Sequence, residues 1–160
     1  MRRNDREITD KRAIEEFISK QQIIRIGLID NGEVYIVPVN YGYTYINGEY
    51  TFYFHGAKAG KKYELAGSNP SVGFEIDGKY KLLPSETACG YSAQFQSVIG
   101  NGVLSIVDDE EERIEGLNHL MEQLTDKCNY EYSKEMLSSV TVFKLQVKKL
   151  SCKAKFRFIC

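Results

Sequence analysis

The chain has no tryptophan, two histidines and three prolines. No apolar run approaches the roughly 20 residues a membrane-spanning helix needs. The polar opening Met1-Arg-Arg-Asn-Asp-Arg-Glu lacks the apolar segment of a secretory signal, so the expected location is cytoplasmic, with no membrane association. Charge of one sign is also missing. Twenty-one basic residues stand against 22 acidic ones, and a net charge of −1 gives no steering toward nucleic acid, which is not an expected partner. The four cysteines, Cys89, Cys128, Cys152 and Cys160, show neither the close pairing of a zinc site nor the density of a disulfide-stapled domain, and read as reduced thiols. His55 and His119 lie far apart without a metal-ligand pattern, so no metal site is expected. With no Gly-x-Ser-x-Gly elbow and no cysteine visibly paired with a histidine base, nucleophilic catalysis is unsupported.

What is present fits one core in residues 1–160, a length too short for two comfortable domains. Thr9 to Lys20 begins with candidate caps and places Ile14, Phe17 and Ile18 at helical spacing. The period then changes. Ile23 to Ile29, Val34 to Asn40, Tyr50 to His55 and Val72 to Asp77 are β-branched or aromatic runs, and Asp30-Asn-Gly32 and Asn47-Gly48 are turn sequences between them. Two successive hairpins, and from them a β-meander, are the expectation. A short helix is expected between Tyr63 and Asn69, stopped by Pro70. Lys79 to Ala88 is unplaced. Ser92 to Val107 reads as strand, and the acidic segment from Asp108 opens a helix with an apolar stripe of Ile114, Leu117, Leu120, Met121 and Leu124. Val140 to Lys149 and Ala154 to Ile159 alternate as half-buried strands do. Many strands with few covering helices must curl or close to hide their edges, so the fold class is mainly β, an antiparallel barrel with a few peripheral helices.

The segment Tyr53 to Pro70 carries the strongest chemical signal. An aromatic strand enters a turn in which Lys58, Lys61 and Lys62 supply cations, while Gly56 and Gly60 permit close backbone approach, a pattern that suits a phosphorylated cofactor. A solvated lysine cluster would look the same. In Val37-Pro-Val-Asn-Tyr-Gly-Tyr43, Pro38 removes a ladder donor and Gly42 a side chain, which marks either a sheet edge or a place where backbone lies against a flat ligand. His55 adjoins the lysines, where an imidazole tends to be neutral and open to hydrogen bonding or proton transfer; a structural role is the competing reading.

These residues resemble the pyridoxamine 5′-phosphate oxidase-like flavoproteins, and within them the nitroimidazole-resistance branch. The landmarks run in order along almost the whole chain: Met1-Arg-Arg, Arg25-Ile-Gly-Leu, Val37-Pro-Val-Asn-Tyr-Gly-Tyr, Phe54-His-Gly-Ala-Lys-Ala-Gly-Lys-Lys, Ser68-Asn-Pro-Ser-Val-Gly-Phe, Ser97-Val-Ile-Gly-Asn-Gly and the acidic helix ending Leu120-Met121. The resemblance implies a single FMN-binding split β-barrel domain that forms a homodimer with cofactor along the interface. It assigns Lys62 to the cofactor phosphate with Lys61 as helper, Val37, Pro38, Val39 and Asn40 to the edge of the flavin ring, His55 to assistance beside flavin or substrate, and Ser97 to the cofactor from another strand. A serine or threonine common in that family two residues before the lysine is Gly60 here. The implied activity is FMN-dependent reduction of a small electrophile, such as a nitroaromatic, with electrons from NAD(P)H. The alternatives are a non-catalytic flavin- or haem-binding module for storage or sensing, and a barrel that serves only to dimerise.

Overall fold

The computed structural model describes residues 4–68 and 70–156, so the Met1-Arg-Arg opening, Asn69 and the end that holds Ile159 and Cys160 lie outside the described residues. Its elements are β1 (Glu7–Ile8), α1 (Lys11–Ser19), β2 (Ile23–Asp30), β3 (Glu33–Asn40), β4 (Gly42–Ile46), β5 (Glu49–Gly56), α2 (Lys61–Ala66), β6 (Ser71–Leu83), β7 (Ser92–Ile106), α3 (Glu110–Thr125), α4 (Lys134–Ser139) and β8 (Thr141–Lys155). All strand pairs are antiparallel, in the order β3-β2-β6-β7-β8-β5-β4, with β1 added to β8. The sheet curls until β3 approaches β5 without pairing to it, leaving a seam. This is the expected split β-barrel.

Both expected hairpins form where the turn residues stand. Asn31 and Gly32, then Asn47 and Gly48, all have positive φ (50°, 88°, 54° and 88°), as a two-residue turn matching strand twist requires. The meander does not form. Gly42–Ile46 is a strand of its own, and β3 and β4, consecutive in the chain, stand at opposite ends of the sheet. Tyr41 between them is fully buried, and its hydroxyl donates to the Ile18 carbonyl at 2.6 Å, so the chain crosses under α1 instead of turning back.

The unplaced Lys79 segment begins as an extension of β6, which shifts register between Gly78 and Lys81 around a positive φ at Lys79. The first closing run and the Ala154–Lys155 start of the second belong to one strand, β8, whose register against β7 shifts between Asn101 and Gly102; residues 157–159 lie outside the described residues. α2 starts two residues before the expected Tyr63, and α4, capped by the Ser133 hydroxyl, carried no periodic signal. α1 and α3 are capped by Asp10 and Asp109. The core holds Phe17, Phe52, Phe54, Ile76, Phe143 and Leu145, and a smaller cluster of Tyr53, Leu117 and Val142 lies beneath α3. No helix among the described residues is long and apolar enough to cross a membrane.

Candidate functional site

The alternation of β5 builds one wall of the site. Tyr50, Phe52 and Phe54 point into the core, which leaves His55 exposed near the strand's end, opposite Val142 of β8. The chain then turns through Ala57–Gly60 into α2. Gly60 has φ 95° and nothing within 4 Å of where a Cβ would stand, so backbone conformation and not crowding selects glycine over serine or threonine here. α2 is six residues long and its first two are the lysines, so the anion-binding capacity of this corner rests on side chains.

The two lysines diverge. Lys61 Nζ lies 2.6 Å from Asp30 Oδ2 and 5.4 Å from the centre of the Tyr35 ring, tying the end of the β2–β3 hairpin across the seam. The Asp30 carboxylate holds its ammonium above the usual lysine range. Lys62 turns inward: its Nζ donates to the His55 carbonyl at 3.3 Å and lies 4.8 Å from the Phe143 ring centre and 5.3 Å from that of Phe54. No carboxylate lies within 4.0 Å of it among the described residues. Burial lowers its pKa, as expected of an ammonium with rings but no counter-ion around it. A Cβ at Gly56 would stand 2.7 Å from Lys62 Nζ, so the missing side chain is what lets the ammonium occupy this place.

Partial burial and then the Lys62 charge hold the His55 imidazole below its ordinary pKa, so it is neutral at pH 7. The unfolded chain therefore binds more protons as pH falls through about 6.5, and the stability that goes with the neutral ring, full above that pH, is lost toward the folded-state value. A nuclear magnetic resonance titration should find His55 titrating below 6.5, and Lys62→Ala should move it upward. An unmoved midpoint would show that the lysine charge does not reach the ring.

The remaining expected site residues fall in two places. Val37 to Asn40 lie on β3, the open edge of the sheet, so Pro38, opposite Arg25, costs no ladder bond. Val37 and Val39 are half-buried against the core, Pro38 and Asn40 are exposed, and Asn40 Nδ2 donates to the Gln22 carbonyl at 2.9 Å. From Tyr35, beside Lys61, to Asn40 is about 17 Å along the strand, so Lys61 stands at one end of β3 and Asn40 at the other. Ser97 is not brought to His55 and the lysines. It pairs with Lys153, eleven residues along β8 from the Val142 that faces His55, on the order of 35 Å of strand. Asp30, Tyr35, Phe54 and Phe143 were not read as site residues; the apolar alternation of β5 could have supplied Phe54, but the Asp30 contact spans 31 positions and left no local trace.

The profile of the pyridoxamine 5′-phosphate oxidase family matches residues 10–154. The chain belongs to that family. No curated protein matches it. Among solved structures, a candidate 5-nitroimidazole antibiotic resistance protein from Bacteroides thetaiotaomicron is 30% identical, with TM-score 0.78 over 92% of this chain and 86% of that one. A FAD and haem binding protein from Mycobacterium smegmatis superposes with TM-score 0.81 at 12% identity, over 96% of this chain and 75% of that one. A flavocytochrome from Azotobacter vinelandii gives 0.78 at 19% identity, over 98% and 72%. The last two identities speak to the fold alone. In this chain Lys62 meets the His55 carbonyl and Lys61 reaches the end of the β2–β3 hairpin, while Val37–Asn40 lie farther along β3.

Proposed function

We propose that the protein is an FMN-dependent reductase that takes electrons from NADH or NADPH and delivers them to a small electrophile such as a nitroaromatic compound. The observation that carries this reading is Lys62, an inward-turned cation without a carboxylate partner among the described residues, placed over two rings beside a glycine that no side chain could replace without displacing it. Such a group meets the needs of a phosphate ester and pairs with no carboxylate among the described residues. The 30% identity to a candidate nitroimidazole resistance protein supports the substrate class.

Bound flavin would supply hydride acceptance and electron transfer. The chain's own residues do the rest. Lys62 holds the phosphate, and Lys61 can add a second cation on leaving Asp30. The open edge of β3 offers backbone donors and acceptors along a flat ring, with Val37 and Val39 supplying apolar contact. Neutral His55 carries one ring N–H to donate to a substrate oxygen, and its uncharged state avoids a second cation beside Lys62. The test is an absorption spectrum of purified protein with the released chromophore identified by mass, then anaerobic reduction by NADH or NADPH and reoxidation by a nitroimidazole. Bound FMN that no donor or acceptor turns over would leave a non-catalytic flavin module; a protein that refuses FMN would remove the reading altogether.

The proposal includes a homodimer with cofactor at its interface. Register puts Ile23 and Ile29 of β2, Val34 and Ile36 of β3 and Ile99 of β7 on one outward face, each 46–68% exposed, around Arg25, whose guanidinium bridges Glu75 at 3.0 Å and Asp77 at 2.5 Å. So many exposed β-branched residues on one face suit a second copy, and Ser97, on that face, would reach a cofactor held chiefly by the partner. Light scattering should give a dimer mass for the native chain and a monomer for Ile36→Lys. A dimer that survives the added charge would move the interface elsewhere.

A further inference from the structure

Outside the seam, a cavity of about 550 Å³ opens between the start of α1, the β4–β5 hairpin and the irregular stretch of β8. It is separate from the flavin site: Tyr50, in its wall, is six residues from Gly56 along β5, on the order of 20 Å. Its apolar lining comes from Ile8, Ile14, Val147 and Leu150 together with the stacked Tyr45 and Tyr50 rings, whose centres are 4.4 Å apart.

Two features of this lining call for a ligand. Tyr50 is 93% buried, its exposure being 7%, and its hydroxyl has no hydrogen-bond partner among the described residues. An unpartnered buried hydroxyl destabilises the fold, and an acceptor delivered by a ligand would remove that cost. Burial, reinforced by the Glu15 charge, raises the phenol's pKa, so the group remains a donor. The second feature is charge. Lys11, Lys148 and Lys149 line the cavity against Glu7 and Glu49, and none of the three lysines has a carboxylate within 4.0 Å among the described residues. The register shift in β8 between the partners of Asn101 and Gly102 places Lys148 as the extra residue at this point, bending the strand beside the opening. Apolar walls, a cationic excess and one buried donor are complementary to a molecule with an apolar body and a single anionic, hydrogen-bond-accepting head.

We infer that this cavity is a second ligand site, which binds a small amphipathic carboxylate with its head toward the lysines and the Tyr50 hydroxyl. The site is independent of the flavin reading, since it uses none of the seam residues.

Calorimetric titration of decanoate into the full chain saturated with FMN tests it, or into the chain as purified should FMN not bind. One decanoate per chain is expected, with decanol at the same concentrations binding at least tenfold more weakly. Tyr50→Phe should weaken decanoate about tenfold while leaving Tm unchanged or higher, because it removes a hydroxyl that the unliganded fold leaves unsatisfied. The double variant Lys148→Glu, Lys149→Glu should abolish binding. The inference is overturned by an absence of binding at millimolar decanoate, by equal affinity of Tyr50→Phe and the native chain, or by decanoate that FMN displaces, which would place it in the seam.

Discussion

Lys62→Ala is expected to weaken FMN binding roughly ten- to a hundredfold, on the basis of about 1.5–3 kcal/mol for a hydrogen bond to a charged group. Lys61→Ala should cost far less. Its ammonium is half-exposed and already held by Asp30 at 2.6 Å, and an exposed pair of this kind contributes about 0–1 kcal/mol. Fluorescence titration of apoprotein with FMN measures both. Gly56→Ala gives an independent check, because the added methyl would stand 2.7 Å from Lys62 Nζ and must push the ammonium aside without removing its charge. It should weaken FMN less than Lys62→Ala, because the flexible lysine stem can yield while the charge remains. Equal, small losses for all three variants would mean that the lysines are a solvated cluster and that the phosphate, if bound at all, lies elsewhere.

The difference between Lys61 and Lys62 marks the limit of what the residues alone declare. Two adjacent lysines after a glycine are indistinguishable in sequence, since their roles depend on what the barrel brings to each. Asp30 reads as a turn residue, and is one, yet its carboxylate crosses the seam to Lys61. The hairpins were legible because Asn-Gly turns are determined by local backbone sterics. The sheet order was not, because the burial of Tyr41 under α1 that separates β3 from β4 is a tertiary preference. The spacing of Lys58, Lys61 and Lys62 and the edge character of Pro38 could be read directly. The separation of Ser97 from His55 and the lysines could not, for it follows from strand register over the length of β8.

Gly42 belongs to the same class of hidden causes, and the largest stability effect is expected there. In sequence it marks an interrupted strand, a sheet edge or a ligand contact. In the fold it is where α3 crosses β4: a Cβ would stand 2.1 Å from the carbonyl carbon of His119, 2.2 Å from the Leu120 nitrogen and 2.3 Å from the His119 oxygen. All three are backbone atoms inside a helix, so no side chain can swing away. Gly42→Ala must therefore lift α3 off the sheet, including the contacts of Leu117 and Leu120 and the ion pair in which Lys144 Nζ meets Glu112 Oε1 at 2.7 Å. Overpacking costs about 1–3 kcal/mol where neighbours can yield and more where they cannot. A loss of about 3 kcal/mol corresponds to roughly 10 °C in Tm for a chain of this size. Gly67→Ala is the matched control: its backbone is helical, with φ −62°, and its nearest contact is an ordinary 3.4 Å. It should leave Tm within a few degrees of native or raise it slightly. Because Gly42 lies on the α3 side of the barrel, the Gly42→Ala protein that remains folded at low temperature should still bind FMN with native affinity, the converse of Lys62→Ala. If it instead lost the cofactor while melting normally, Gly42 would be a ligand-contact residue, and its closeness to α3 would not be what requires glycine.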